Sequence, residues 1–262
     1  GRQARRELYN LKPPYIAPPV PEELCIEVDC RRDFKGEPLV NLSQEAIEDV
    51  VLKAAELKPE AVAINLLFSF INDEDERALE DALKNKYFVS RSSFVLPVYK
   101  EYERGIATWL NASLGRRVQT YMSSFQKMLN KCHASVMQSS CGVSGIEEQS
   151  QRAANLLLSA PAGGLAGVRL RASAENTTQI LSFDMGGTST DVALMDKDFQ
   201  LSTEGHIKHW PVAVPMLEMD TIGSGGGSIA WTDEAGMLHV GPESAGSNPG
   251  PACYGRGGTR PT

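Results

Sequence analysis

Apolar and polar positions along the chain fall into runs whose periods alternate between those of strands and helices. Cys25-Ile26-Glu27-Val28-Asp29-Cys30 alternates apolar with polar, the period of a half-buried strand. Ser43 stands where an N-cap belongs, ahead of a helix with Ile47, Val50, Val51 and Ala54 on its apolar face. That helix is expected to end near Pro59. The nearly unbroken apolar run Ala61-Val62-Ala63-Ile64-Asn65-Leu66-Leu67-Phe68 predicts a strand buried on both faces, as in a parallel sheet. Asn72 or Asp73 then caps a second helix carrying Ala78, Leu79, Ala82 and Leu83 on one face, and Phe94-Val95-Leu96 reads as another strand. Helix, strand, helix, strand is the rhythm of an α/β layer. Residues 1–40, with Pro13, Pro14, Pro18, Pro19, Pro21 and Pro38, are expected to be extended and turn structure.

A long helical pattern follows over about residues 101–129. Trp109, Leu110, Leu114, Val118, Tyr121, Met122, Phe125 and Met128 recur at helical spacing and are read as core. At the usual rise such a helix is about 40 Å long, enough to connect two lobes. A strand over 134–138 and a helix over 147–158 come next, and Pro161-Ala162-Gly163-Gly164 opens a further helix. Beyond Ile180 the chain turns to short strands joined by glycine-dense turns. The domain boundary is placed near residues 98–104, giving a first segment of residues 1–100 and a second of 101–262.

Composition narrows the function classes. A chain of 262 residues with 42% hydrophobic and 23% charged content is an ordinary globular one. The formal net charge of −7, with no run of Lys or Arg, argues against nucleic acid or an anionic membrane surface as a partner. No apolar stretch has the length of a membrane span, and no signal-peptide hydrophobic region opens the chain. Cys25, Cys30, Cys132, Cys141 and Cys253 are too sparse for a disulfide scaffold and lack zinc spacing, so reduced thiols in a cytoplasmic protein are expected. His133, His206, His209 and His239 show no metal spacing and are read as bystanders.

Candidate chemistry sits in the glycine-rich second segment. The strand Ile180-Leu181-Ser182-Phe183 runs into Asp184-Met185-Gly186-Gly187-Thr188-Ser189-Thr190-Asp191, and Val192-Ala193-Leu194-Met195 follows as a second strand. Glycines let a turn point its N–H groups at an anion, and the hydroxyls of Thr188, Ser189 and Thr190 add donors. The carboxylates of Asp184 and Asp191 instead suit Mg²⁺, its waters, or orientation of a nucleophile. This is neither a Walker loop nor a Rossmann fingerprint, because a strand follows where both require a helix. The alternative is a hairpin with an elaborate turn. A second element, Gly223-Ser224-Gly225-Gly226-Gly227-Ser228, is too glycine-dense for a simple connector and points to close backbone approach to a ligand; a flexible linker is the alternative. Ser159-Ala160-Pro161-Ala162-Gly163-Gly164 forms a turn at a helix N-terminus, where anions bind, although proline there is also common for structural reasons. The stretch from Gly241 to Pro251 reads as a rigid loop with no clear chemistry of its own.

Three strings together resemble the hydantoinase A/5-oxoprolinase family: residues 184–191, Ile222-Gly223-Ser224-Gly225-Gly226-Gly227-Ser228-Ile229-Ala230, and residues 241–258. Leu96-Pro97, Glu101-Tyr102-Glu103-Arg104, Leu110-Asn111-Ala112 and Met137-Gln138-Ser139-Ser140 support it. The resemblance implies an α/β fold of the actin, sugar-kinase and Hsp70 type, with ribonuclease-H-like lobes of mixed sheets and flanking helices clasping ATP. It also implies ATP-dependent opening of a cyclic amide such as 5-oxoproline or an N-methylhydantoin, with Mg²⁺ and a hydantoinase B-type subunit or domain as partner and oligomers possible. Acetone-type ketone carboxylation within the same family and a non-catalytic actin-like nucleotide-binding module are the alternatives. Carried over, residues 184–191 form the second phosphate loop, with Asp184 and Asp191 as catalytic and metal-holding acids and Gly186, Gly187, Thr188, Ser189 and Thr190 at the nucleotide. Gly223, Gly225, Gly226, Gly227 and Ser228 complete that site, and Gly163 and Gly164 flank it. One departure is visible: the family usually has glycine where Ala160 stands, which questions the local site if positive φ is needed there.

Family members open on their own Asp-x-Gly-Gly-Thr-type loop, and no such loop precedes residue 184. The chain is therefore expected to be a central piece: the tail of one lobe, a connecting helix and the front of the next. On that reading residues 1–262 alone show no measurable ATP hydrolysis. A phosphate-release assay with Mg²⁺ checks this, and robust turnover by the purified chain overturns it.

Overall fold

Ser43 does cap the first helix, its Oγ accepting from Ala46 N at 3.1 Å, and α1 runs Gln44–Leu57. Lys58 in the left-handed region closes it ahead of Pro59. The computed structural model describes residues 9–12, 17–129, 132–207 and 210–262; Pro13, Pro14 and His209 lie outside them. The chain divides into two units, Gly1–Ser113 and Leu114–Thr262, and the division falls within one helix.

In the first unit a small antiparallel pair, β1 (Arg31–Arg32) and β2 (Pro38–Val40), precedes α1. Then β3 (Ala61–Ile64), α2 (Glu74–Leu83) and β4 (Phe88–Arg91) form a crossover, the two strands pairing in parallel from Ala61↔Phe88 to Ile64↔Arg91. Val50 and Ala54 of α1 and Leu79 and Leu83 of α2 bury against Ile64 and Val89. A short helix, α3 (Ser92–Val95), occupies the stretch read as a strand, and the strand lies four residues earlier. Its pattern is masked by polar residues with internal partners. Buried Ser90 donates to Thr108 O at 3.0 Å and accepts from Asn111 Nδ2 at 2.9 Å. Arg91 reaches Glu80 at 2.6 Å and Asp73 at 3.0 Å. Residues 25–30 are extended as expected but pair with no strand; Ile26 and Val28 pack on the core as side chains alone. At the start of α2 it is Asn72, not Asp73, whose side chain accepts from Glu74 N, at 3.0 Å.

Two buried charges tie this unit together. Glu76, fully buried, accepts from Leu66 N at 2.9 Å, Ser92 Oγ at 2.6 Å and Ser93 N at 2.9 Å. Arg104 opens α4 (Glu101–Leu129) and donates to Leu66 O at 2.7 Å and Asn65 Oδ1 at 3.2 Å. Burial pulls its guanidinium below the ordinary value, and the charges of Glu76 and Glu101 oppose that. Along α4, Ile106, Ala107, Leu110, Ala112 and Met122 are buried, whereas Tyr121 and Met128, read as core, are 64% and 75% exposed.

The second unit continues with β5 (Ser135–Met137) pairing β6 (Val143–Gly145), then α5 (Ile146–Gln151), shorter than the helix read over 147–158. Arg152 leaves helical geometry and a 3₁₀ turn, Ala153–Leu156, follows. Next come α6 (Ser159–Ala174) and the hairpin β7 (Gln179–Met185) and β8 (Thr190–Asp196). Short strands β9 (Leu201–Ser202), β10 (Gly205–Ile207), β11 (Trp210–Val212) and β12 (Met216–Leu217) lead to β13 (Asp220–Ile222), which joins β8 to give the order β13-β8-β7. A last hairpin pairs β14 (Ser228–Thr232) with β15 (Leu238–Ser244). No helix among the described residues is long and apolar enough to cross a membrane.

Removing the Glu76 side chain orphans two backbone amides, Leu66 N and Ser93 N, while the Ser92 hydroxyl keeps Ser69 Oγ at 3.0 Å. Glu76→Ala is expected to destabilise the first unit by about 3 kcal/mol, read as a fall in the urea midpoint at unchanged slope.

Candidate functional site

The hairpin β7–β8 has its four-residue turn at Gly186-Gly187-Thr188-Ser189, closed by Gly186 N donating to Ser189 O at 2.9 Å. Antiparallel register sets Asp184 opposite Asp191 and Asp191 opposite Thr221, so the three side chains lie in one row across β7, β8 and β13. Opposed residues share a face, and two residues along a strand return to it. Ser182 and Ala193 are therefore on that face too. α6 covers it, Ala162 and Leu165 packing on Ala193 with Leu217. Beside the first two turns of α6 a small open cleft remains, lined by Pro161, Gly164, Leu165, Ser182, Asp184, Asp191 and Met219 among others.

The two glycine-rich segments meet. Gly226 N donates to Gly186 O at 2.9 Å, Gly227 N to Gly187 O at 2.7 Å, and Thr190 Oγ1 to Ser224 O at 2.8 Å. A Cβ on Gly225 would stand 2.5 Å from Gly186 O and 2.8 Å from Ser189 N; one on Gly227 would stand 2.8 Å from Gly187 O. The close approach inferred from the glycine run is thus to the hairpin turn itself. Neither Gly223 nor Gly187 has any atom within 4 Å of where a Cβ would be. Ser228 folds the segment back, its Oγ accepting from Gly225 N at 2.9 Å. The linker alternative is excluded, because a linker makes no such bonds.

With its carbonyls held from behind, the turn presents amides outward. Among the described residues, the N–H groups of Gly187, Thr188 and Ser189 donate to no protein acceptor, and the turn is solvent-exposed at Gly187 and Thr188. The trans peptide planes turn the Gly187 and Thr188 amides away from the held carbonyls, whereas Ser189 N lies beside Gly225; successive free amides are what an anion nest is built from. The acids differ from each other. Asp191 Oδ1 accepts from Thr221 Oγ1 at 2.7 Å, while no described side chain or amide bonds the Asp184 carboxylate, and neither acid has an ion-pair partner among the described residues. Like charges directly opposite on a sheet repel, at a Cβ separation of about 5 Å, and a cation relieves that. No three His, Cys, Asp or Glu side chains converge anywhere among the described residues. Two carboxylates are nevertheless the donor set Mg²⁺ needs when phosphate oxygens and water fill its remaining positions. Asp184 and Asp191 would be the residues to hold Mg²⁺ here, as two carboxylate ligands and not as a full protein cage.

Gly163 and Gly164 lie in the first two turns of α6, and Gly164 lines the cleft. Ala160 is helical there; the positive φ, 56°, falls at Leu158, so alanine in place of glycine brings no backbone strain. His133, His206 and His239 stay away from the cleft lining; His239 bonds Asp233 at 2.8 Å and stacks on Trp231 in the β14–β15 hairpin. Thr221, Ser182 and Met219 escaped sequence reasoning, since only strand register brings them to the acids.

A solved acetone carboxylase, nucleotide-free, matches 95% of the chain and 37% of its own at TM-score 0.73 and 25% identity. The ATP-dependent caprolactamase of Pseudomonas jessenii matches all of the chain and 39% of its own at TM-score 0.74 and 30% identity. The chain has the mixed α/β architecture of the actin-like ATPase superfamily. The hydantoinase/oxoprolinase family model matches residues 104–262, and the model of the hydantoinase/oxoprolinase N-terminal region matches residues 1–87. The chain belongs to the hydantoinase/oxoprolinase family. The caprolactamase subunit alpha is 33% identical over 93% of the chain and 36% of its own length; 5-oxoprolinase PfmaA of Pestalotiopsis fici is 33% identical over 84% and 17%. The chain spans well under half of each protein it matches.

Because Gly225 abuts backbone and Gly223 abuts nothing, alanine separates them. Gly225→Ala is expected to cost about 2 kcal/mol and to speed amide exchange at residues 186–189. Gly223→Ala is expected to stay within about 0.5 kcal/mol of wild type.

Proposed function

We propose that this chain carries the second phosphate loop of an ATP-dependent enzyme that opens cyclic amides, of the 5-oxoprolinase or hydantoinase type. The observation that carries the reading is the facing pair Asp184 and Asp191 on the two strands that flank a turn with unengaged amides. The amides of Gly187, Thr188 and Ser189, with the hydroxyls of Thr188 and Ser189, bind phosphate oxygens. Asp184 and Asp191 hold Mg²⁺, which when bound neutralises phosphate charge. Gly163 and Gly164, on the helix bordering the cleft, flank the nucleotide, and residues 223–228 back the turn. An unstrained amide is a poor electrophile. Transfer of a phosphoryl group from ATP to its oxygen, releasing ADP, makes the ring carbon electrophilic; water adds there, the ring C–N bond breaks with the nitrogen taking a proton, and a second water releases phosphate from the acyl phosphate. Similarity to a caprolactamase and a 5-oxoprolinase supports the amide as substrate. The former is an alpha subunit, which supports a second, hydantoinase B-type subunit as partner.

A second reading is ketone carboxylation, favoured by the likeness to acetone carboxylase. Bicarbonate separates the two: a carboxylase requires it and gains its carbon, whereas ring opening consumes only water and ATP.

In the intact protein, Asp184→Asn and Asp191→Asn are each expected to lower ATP-dependent turnover by at least about 100-fold. Product analysis on 5-oxoproline, with and without bicarbonate, reads the reaction class. Wild-type turnover in both variants overturns the proposed site.

A further inference from the structure

Resting on that reading, we infer that Thr221 is a positioning residue for Asp191 and makes the two acids of the cleft unequal. Thr221 comes from β13, outside both glycine-rich segments. Strand register sets it directly opposite Asp191. Its Oγ1 donates to Asp191 Oδ1 at 2.7 Å, an ordinary length for a charge-assisted hydroxyl–carboxylate bond. One carboxylate oxygen is thereby occupied, and its partner Oδ2 is left for the cleft that Asp191 lines. Asp184, the third residue in the row, has no such donor among the described residues. A carboxylate fixed by an outer hydrogen bond is a preorganised ligand, and loss of such a partner typically weakens metal affinity about 10–100-fold. A free carboxylate must first lose rotamer entropy.

The arrangement is also fastened at its far end. Ile222, next after Thr221, pairs with Thr190, and the Thr190 hydroxyl holds Ser224 O. The strand that places Thr221 is therefore continuous with the segment that backs the phosphate turn. Shifting the turn shifts the hydroxyl that orients Asp191, so the anion nest and the acid are set by one short piece of chain, residues 220–228.

The test compares Thr221→Val, which keeps the shape and removes the donor, with Thr221→Ser, which keeps the donor. In the 262-residue chain, NMR couplings between the Asp191 Hα and its two Hβ protons report its rotamer without any ligand. One rotamer is expected in wild type and Thr221→Ser, and averaging in Thr221→Val at an unchanged melting temperature. A fixed rotamer in Thr221→Val, or averaging already in wild type, overturns the proposal. In the intact protein, the Mg²⁺ concentration for half-maximal ATP-dependent turnover is expected to rise about tenfold or more in Thr221→Val, with Thr221→Ser near wild type. An unchanged Mg²⁺ requirement also overturns it. If Asp191→Asn keeps wild-type turnover, the phosphate-loop reading fails instead, and the couplings still decide whether Thr221 orients Asp191.

Discussion

Two hydrogen bonds of 2.9 and 2.7 Å, from the amides of Gly226 and Gly227 to the carbonyls of Gly186 and Gly187, fix the geometry on which the rest of the site depends. A glycine-rich hairpin turn in isolation has many accessible backbone states, and glycine carries the largest entropy cost of ordering. An anion nest needs several amides pointing one way at once. Engaging the opposite side of the same peptides achieves this without covering the amides themselves. The carbonyls are used up behind, the N–H groups stay in front, and the peptide plane links the two directions. The absence of a Cβ at Gly225 and Gly227 is the steric condition for that contact.

The same economy governs the acids. Asp184 and Asp191 face each other across a hydrogen-bonded ladder, where like charges directly opposite are mildly destabilising. α6 covers the adjacent part of the face with Ala162 and Leu165, small enough at Ala162 to lie close to Ala193. Apolar packing lies on one side of the row and open cleft on the other, so the acids are supported by the helix and remain accessible.

Local signals were legible wherever one element suffices. The Ser43 cap, the apolar stripe of α2, the length of α4 and the strand–turn–strand of β7 and β8 follow from neighbours a few residues apart. Features that need a distant partner were not. The strand at Phe88–Arg91 hides because Ser90 and Arg91 look like surface residues until Asn111, Thr108, Glu80 and Asp73 arrive. Glu76 reads as one more acid of a charged helix, yet three donors from elsewhere bury it completely. In α4, periodicity named Tyr121 and Met128 as core, but a stripe marks only the face that a helix can bury. Whether anything covers it is a tertiary fact.

The glycine run 223–228 shows the limit most clearly. Its density announced close approach, and a sequence has no means of saying to what. A ligand and a neighbouring peptide impose the same requirement, the loss of a Cβ. Register decides between them: β13 pairs with β8, which delivers the run to the back of the turn whose front is free. Mutational loss of function at Gly225 therefore does not identify a ligand contact, since a shifted turn abolishes phosphate binding as surely as a lost contact. The side chains of Thr188 and Ser189 engage no other described residue, so the phosphate contacts proposed above are better tested at those two positions than at the glycines. Sorting the glycines by what a Cβ would meet turns one undifferentiated motif into two jobs, holding the turn and forming it.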